Sequence, residues 1–527
     1  MRNFQLPGRS PTMATNGMAA TSHPLATQTA LKILQAGGNA VDAAIAASAT
    51  LCVVEPQSTG IGGDCFVILH EPDGTLHGLN GSGRAPAGAH LDWYLERGIT
   101  DLNAHPAHSI TTPGALKAWD ALANRFGTLG FGTLFRDAIA YGNNGFPVAP
   151  RVAFDWATLT DKLLQHSAAK SQLLHNGRAP LAGTMLAFPE LAKTLETVAT
   201  SGVDAFYTGK IATEIAATVQ SAGGFLTESD MAASTADWVD LISTNYHGTD
   251  VYEIPPNGHG ITALILLNLL DALDARGHSV NSIERAHLEI EAGRLAYSVR
   301  DAYVGDPATM TARVSQILSP DHTNALAALF NPQKRNDAIT LPKLPASDTV
   351  YLTVIDRDLR AVSFINSVYN GFGSGIVTPN SGITLQNRGA CFSLTPGHDN
   401  AIGPRKRPLH TIIPGMATKN GKLAYSFGVM GGAYQPMGHA HVLANMIDYG
   451  MDPQQALDHP RVFWDDNAVG LEAGIDNAVL SGLSDLGHPV SRVAMPHGGG
   501  QIIGVDHARG VMIGGSDPRK DGNASGY

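Results

Sequence analysis

Two hydroxyl side chains, Thr349 and Ser367, are the residues whose types and spacing could do covalent chemistry here. Thr349 opens the run TVYLTVI (349–355), and Ser367 closes in on the end of AVSFINSV (361–368). Both runs are rich in β-branched residues, and DRDLR joins them as a polar connection of hairpin length. Pairing Ile355 with Ala361 sets Thr349 opposite Ser367; a slip of one residue would turn every side chain to the other face. A threonine facing a serine is an ordinary cross-strand pair. The other reading is chemical. NPQKRNDAITLPKLPASD (331–348) has no periodicity and reads as an exposed connection. A cut between Asp348 and Thr349 would give the threonine a free α-amine. Such an amine has a pKa of about 7.7–8.0, so it can take the proton from its own Oγ, and no histidine base is needed.

The elements that would carry this pair follow from the rest of the pattern. ATQTALKILQAGGNAVDAAIAASATLCVV (26–54) reads as two small-residue helices broken at Gly37-Gly38. EPQSTGIGGDCFVIL (55–69) is a glycine-rich turn feeding a strand. TPGALKAWDALANRFG (112–127) has Pro at a helix start and Gly after its end. Further helices are expected near 190–200, 209–221, 261–276 and 282–302. Strands follow at TVYLTVI, AVSFINSV, SGITLQN and LAYSFGV, then helices at 436–449 and 453–458, then strands near 500–513. Helix-rich first and strand-rich later suits an α+β fold layered around a pair of sheets.

Composition narrows the function classes. The chain has 527 residues, 43% hydrophobic and 15% charged, as a globular protein with a sizeable core should. Its net charge of −11, with no basic run beyond Arg405-Lys406-Arg407, argues against a nucleic-acid partner. Cys52, Cys65 and Cys391 form no disulfide framework, which suits a reducing compartment. MRNFQLPGRSPTMATNG has no apolar secretory core, and ITALILLNLLDAL (261–273) is too short to span a bilayer. A cytoplasmic protein without a membrane partner is expected. GxSxG, GxGxxG and GxxxxGK[ST] are all absent, so neither a hydrolase-elbow serine nor a nucleotide cofactor is expected. His439 and His441, one residue apart, raise a metal-dependent amidohydrolase as an alternative, but positions i and i+2 of a helix do not share a face. No metal or cofactor is therefore expected.

The stretches ATSHPLATQTALKILQAGGNAVDAAIAA, STGIGGD, SITTPGALKAWD, VRDAYVGDP, DTVYLTVID, FGSGI, GPRKRP, VMGG, IDYGMDPQQALDHPR and GGSDPRKDGNASGY occur in this order along nearly the whole chain. In them the chain resembles the gamma-glutamyltranspeptidase family of N-terminal-nucleophile (Ntn) hydrolases. The resemblance implies a four-layer αββα sandwich made as one precursor. It implies self-cleavage between Asp348 and Thr349 into residues 1–348 and 349–527, which remain together as one unit and could pair further as a dimer. It makes Thr349 the nucleophile, Ser367 the supporting hydroxyl, and Gly431-Gly432 the oxyanion-binding glycine pair. A tight turn is the plainer reading of those two glycines alone.

The departures bear on substrate. Where the family holds a glutamyl head group with an Asn, a Gln, an Asp and two serines, this chain has Tyr369, Arg388, Cys391 and His410-Thr411. A thiol does not replace the carboxylate expected to receive an ammonium. Arg388 brings a planar fork suited to a carboxylate, or it makes a structural ion pair. The family's upstream arginine is matched only loosely by Arg84, and SLTPGHDNAIGPRKRP is too short for the usual lid. These changes suit an amide that bears a carboxylate and lacks an α-ammonium. The subgroup with SFINS, LQNRG, RPLHTIIPGM and VMGG resembles transpeptidase-like amidases, including cephalosporin (glutaryl-type) acylases and the oxamate amidohydrolases of purine-nitrogen salvage. Oxamate is the leading expectation, because it is the smallest amide with that charge pattern. A gamma-glutamyl hydrolase or transpeptidase acting on glutathione-type substrates is the alternative, and an unprocessed relative that only binds ligand is a third.

Overall fold

Val350–Asp356 is buried at every position, and so is its partner Ala361–Ser367. Strands apolar along their whole length must be covered on both faces. The computed structural model, which describes residues 8–339, 349–465 and 468–527, shows what covers them. Val350, Leu352 and Val354 point to a helical layer that includes Ala40–Val54, while Tyr351 and Ile355 point the other way, to Met430 and Ile503 of a second sheet. The two-residue period of a strand thus divides one run between two cores.

The first sheet has the order Asn523–Gly526, Gly17–Thr21, Val350–Asp356, Ala361–Ser367, Asp64–His70, Leu76–Gly81 and Asp237–Val239. The second has the order Thr12–Ala14, Val511–Ser516, Gly499–Asp506, Lys422–Met430, Gly415–Lys419, Thr249–Glu253 and Ile242–Tyr246. Every pairing in both is antiparallel. Phe427 and Val429, on the far face of the second sheet, pack on Leu264, Leu295 and Leu443 of the helices Gly260–Ala272, Ile283–Tyr303 and Gln435–Ile447. The result is the expected four-layer αββα sandwich. Each sheet draws strands from both sides of residue 348.

The inner helix Ala40–Val54 forms where its sequence starts and stops it. Asn39 Oδ1 accepts from the backbone of Val41 and Asp42 at 2.9 and 3.1 Å, and the Asp42 carboxylate returns to Asn39 N at 3.0 Å. This closed box fixes the first turn. Its Ala-rich faces let all 15 residues be buried between neighbours. Gly37, at φ 94°, breaks it from Pro24–Gln35 as expected. The other expected helices lie at Ala115–Phe126, Pro189–Ser201, Lys210–Ser221, Pro453–Asp458 and in the elements just named.

SGITLQN is not a strand. Thr384 makes only an isolated bridge to Val377, and Gln386 N and Asn387 N donate to the loop carbonyls of Gly62 and Val368 at 3.1 and 3.2 Å. Its hydrogen bonds are shared among turns rather than given to one neighbour. Among the described residues, no helix is long and apolar enough to cross a membrane.

A buried ion pair ties the end of the chain to the second sheet. Arg461 Nη2 meets Asp517 Oδ2 at 2.6 Å, both fully buried, and Gly500 N donates to the same oxygen at 2.9 Å. Burial pushes the Asp517 carboxyl up, but Arg461 and Arg519 outweigh it and hold it below its ordinary 3.8. Asp517→Asn should therefore cost about 3–5 kcal/mol at neutral pH, since it strands a buried guanidinium. Because the native carboxyl is depressed, its contribution is present above the ordinary value and is lost as pH falls through the native one. The gap in unfolding free energy between wild type and Asp517→Asn should narrow on acidification; a gap independent of pH would show that the pair's charge does not matter.

Candidate active site

The hairpin register pairs Val350 with Asn366 and Ile355 with Ala361, which brings Thr349 across from Ser367 as the spacing predicts. Their Oγ atoms are 3.2 Å apart, and both residues are buried. On the other side of Ser367, the register places Asp64. A nucleophile candidate, a hydroxyl and a carboxylate thus stand in a row across three adjacent strands. Ser367 Oγ also accepts from Tyr369 N at 2.8 Å. Tyr369 holds φ at 80°, a left-handed conformation uncommon for a bulky residue and characteristic of constrained functional turns.

Asp64 was hidden in the sequence as the end of a glycine turn, STGIGGD, and is the residue that reading along the chain missed. Its Oδ1 accepts from Gly83 N at 2.9 Å, Gly114 N at 3.2 Å and Gln386 Nε2 at 2.9 Å, and its Oδ2 from His410 Nε2 at 2.9 Å. Only glycine fits the first two positions. A Cβ on Gly83 would sit 1.6 Å from the Thr112 carbonyl oxygen, and one on Gly114 would sit 2.1 Å from that of Gly81. Burial pushes the Asp64 carboxyl up to about 6, against the pull of Arg388 and of the donors around it. The same burial, with Arg388 and Arg407 nearby, drives His410 well below its ordinary 6.5. His410 is thus a neutral imidazole whose Nε2–H faces Asp64.

Arg388 begins a short turn, Arg388–Cys391, and is fully buried. Its Nη1 donates to Thr411 Oγ1 at 2.7 Å and lies 3.9 Å from Cys391 Sγ, and its guanidinium stacks over the Tyr369 ring at 4.3 Å. Its Nε and Nη2 have no hydrogen-bond partner among the described residues. Buried guanidinium donors are rarely left open, and an open fork is shaped for a carboxylate. The structure therefore gathers Thr349, Ser367, Tyr369, Arg388, His410 and Thr411 around Asp64.

Gly431 and Gly432 follow the strand Lys422–Met430 with φ of 124° and 54°. A Cβ on Gly431 would lie 2.7 Å from the Cα of Gly498, so the turn requires its glycine. Gly431 lies on the wall of a cleft that also includes Asn370 and Gly371. Arg84 lies elsewhere. It lines a cavity of about 310 Å³ with Ser82, Thr112 and Arg405, and it faces Asp237 and Asp306 at 3.6 and 3.8 Å. That wall includes none of Thr349, Ser367 and Arg388. Asp348, on the other side of the expected cut, lies outside the described residues. His439 and His441 address separate carboxylates, Glu253 at 2.7 Å and Glu289 at 2.9 Å. No group of three or more His, Cys, Asp and Glu side chains is placed to hold a metal among the described residues.

Comparison with known proteins bears on this geometry. Residues 26–527 match the family model described as gamma-glutamyltranspeptidase. The glutathione hydrolase-like YwrD proenzyme of Bacillus subtilis (strain 168) is 36% identical over 529 residues, covering 98% of this chain and 99% of that one. The oxamate amidohydrolase proenzyme of Klebsiella pneumoniae subsp. pneumoniae is 34% identical over 539 residues, covering 98% and 100%. The crystal structure of cephalosporin acylase from Bacillus halodurans superposes with a TM-score of 0.92 at 40% identity, covering 100% and 99%.

The donors converging on Asp64 make a sharp expectation. Asp64→Ala removes the acceptor of four hydrogen bonds and the carboxylate that acts on Arg388, and should cost about 3–5 kcal/mol. Thermal unfolding of the purified variant would show it; an unchanged melting temperature would mean that the surrounding loops hold themselves.

Proposed function

The chain belongs to the gamma-glutamyltranspeptidase family, and on that premise we propose that Thr349 is the nucleophile of a self-processing amidase selective for acyl groups bearing a carboxylate. The family and the superposition make it an N-terminal-nucleophile amidohydrolase. The reading of its steps is as follows. Thr349 Oγ attacks the Asp348 carbonyl carbon, the peptide shifts from nitrogen to oxygen, and water opens the ester. This leaves residues 1–348 and 349–527. They stay together because both sheets interleave strands from both chains.

The freed α-amine of Thr349 then takes the proton from Oγ as Oγ bonds to the substrate carbonyl carbon. It returns that proton to the nitrogen that leaves, and water splits the acyl-enzyme. Ser367, 3.2 Å from the nucleophile, orients it. The Gly431 and Gly432 amides receive the charge that develops on the carbonyl oxygen, a contribution of about 3–4 kcal/mol per well-placed donor in such sites.

The carrying observation is Arg388, buried with Nε and Nη2 open. We assign it the substrate carboxylate, with Tyr369 and Thr411 holding its plane. His410 acts through Asp64 as a positioning residue, and Arg84 serves from outside the cluster. Oxamate is the smallest amide that satisfies this charge pattern, and one relative is an oxamate amidohydrolase proenzyme. A gamma-glutamyl amide fits less well, because the position beside Arg388 holds the Cys391 thiol where an ammonium would need a carboxylate. All three cysteines are free thiols, which supports a reducing, cytoplasmic setting.

Two measurements test this reading. Intact mass of the denatured protein should show two species divided between Asp348 and Thr349, and one full-length species in Thr349→Ala; cleavage that survives this change would remove Thr349 from the role. With processed enzyme, ammonia release from oxamate should show KM raised roughly tenfold or more in Arg388→Ala, with a smaller change in kcat. An unchanged KM would make Arg388 structural.

A further inference from the structure

The chain's three cysteines are free thiols, and two of them are sealed in the core. Burial pushes the Cys52 thiol up to about 12 and holds the Cys65 thiol well above its ordinary 9.0. Thiols buried in this way are inert. Cys391 is unlike them. It is only partly buried, and its Sγ lies 3.9 Å from Nη1 of Arg388. Access and a neighbouring cation are the two features that mark cysteines open to selective oxidation.

Arg388 supplies the other half of the site. It is fully buried, its Nη1 is held by Thr411 Oγ1 at 2.7 Å, and the Tyr369 ring covers it at 4.3 Å. Its Nε and Nη2 have no hydrogen-bond partner among the described residues. Arg388 and Cys391 are the two ends of one short turn, so the local backbone carries the sulfur beside the guanidinium. Asn400 Nδ2 fixes the far end of that turn by donating to the Cys391 carbonyl at 2.6 Å. A thiol is too weak an acceptor to satisfy the open donors. An oxygen bonded to Sγ and turned toward the fork spans the 3.9 Å gap and comes within hydrogen-bond reach.

We propose that Cys391 is a peroxide-modification site, and that its oxidised sulfur takes the place of the substrate carboxylate on Arg388. The inference rests on the assignment of Arg388 given above. The oxidant is a hydroperoxide. Sγ attacks one peroxide oxygen, the S–O bond forms as the O–O bond breaks, and the thiol proton goes to the departing oxygen. With hydrogen peroxide the products are the sulfenic acid and water. A second peroxide adds a second oxygen in the same way, releases a second water, and leaves a sulfinic acid that gives its proton to solvent. The sulfinate is an anion with two acceptor oxygens, the pattern that a guanidinium fork receives. Tethering on the same turn gives it a high effective concentration against free substrate. Thiols reverse the sulfenic stage but not the sulfinate.

The test exposes processed wild type, Cys391→Ser and Cys391→Ala to hydrogen peroxide, which catalase then removes. Ammonia release is measured from oxamate or glutaramate, whichever the untreated enzyme turns over faster. Each rate is read as a fraction of that protein's own untreated rate, and peptide masses locate every added oxygen. The proposal expects wild type to lose activity in step with oxygen added at Cys391, with Cys52 and Cys65 unchanged. Both variants should be inactivated roughly tenfold or more slowly. The matching acid, oxalate or glutarate, should slow oxidation of Cys391 by occupying the fork. Early loss of activity should return with dithiothreitol, and late loss should not. Cys391 left unmodified, Cys391 oxidised with full activity retained, or variants inactivated as fast as wild type each overturn the proposal and leave the amidase reading standing. An untreated split enzyme that hydrolyses neither amide overturns the amidase reading itself and takes the proposal with it.

Discussion

The site depends on one buried carboxylate. Asp64 begins the strand Asp64–His70 next to Ser367, and it accepts hydrogen bonds from backbone and side chains at positions 83, 114, 386 and 410. Those positions lie in separate loops, and this carboxylate ties all four to the sheet that carries Thr349. Burial opposes the charge on Asp64, and Arg388 with the surrounding donors supports it. A carboxylate in such a place is either fully hydrogen-bonded or ruinous. Here its satisfaction and the loop positions are the same fact.

Interleaving gives the second constraint. Val350–Asp356 lies between Gly17–Thr21 and Ala361–Ser367, so a strand from after residue 348 is flanked by one from before it and one from after. Cutting the backbone ahead of Thr349 leaves these ladders in place. Neither half holds either seven-stranded sheet by itself, so the two products of a cut would share both large sheets and their cores. The strand that follows Thr349 is held by hydrogen bonds on both edges and by packing on both faces, the rigidity that the proposed role of nucleophile requires.

The sequence made some of this legible and concealed the rest for physical reasons. Thr349 and Ser367 are 18 residues apart, joined by one hairpin, so strand propensity and loop length fix their register. The helices at Ala40–Val54 and Ala115–Phe126 announce themselves through caps, Pro and Gly. Asp64 and His410 are 346 residues apart, and no local pattern links them. A glycine run ending in Asp reads as a turn, which it is, and its carboxylate gains meaning only from loops that converge in space. SGITLQN misled because it is buried almost throughout, polar Gln386 included, while its backbone hydrogen bonds go to loops rather than to a neighbouring strand. Arg84 is a match of residue type near a loosely aligned position, and its side chain lines a separate cavity, 3.6 and 3.8 Å from Asp237 and Asp306.

The division of labour between Thr349 and Arg388 follows from what each lacks. A threonine with its own α-amine needs no neighbouring base, so the imidazole of His410 is free to remain neutral and structural. Arg388 cannot lose its charge, and its buried donors are only partly used. Asp64 tempers that charge without touching it. On the proposed reading, an acyl group that brings a carboxylate completes the guanidinium's hydrogen bonds, whereas one without a carboxylate leaves them unmade. Discrimination of this kind is strong because it rests on the penalty for unpaired polar groups rather than on fit alone. On the proposed reading, the pocket selects its acyl group by a deficit built into the resting protein.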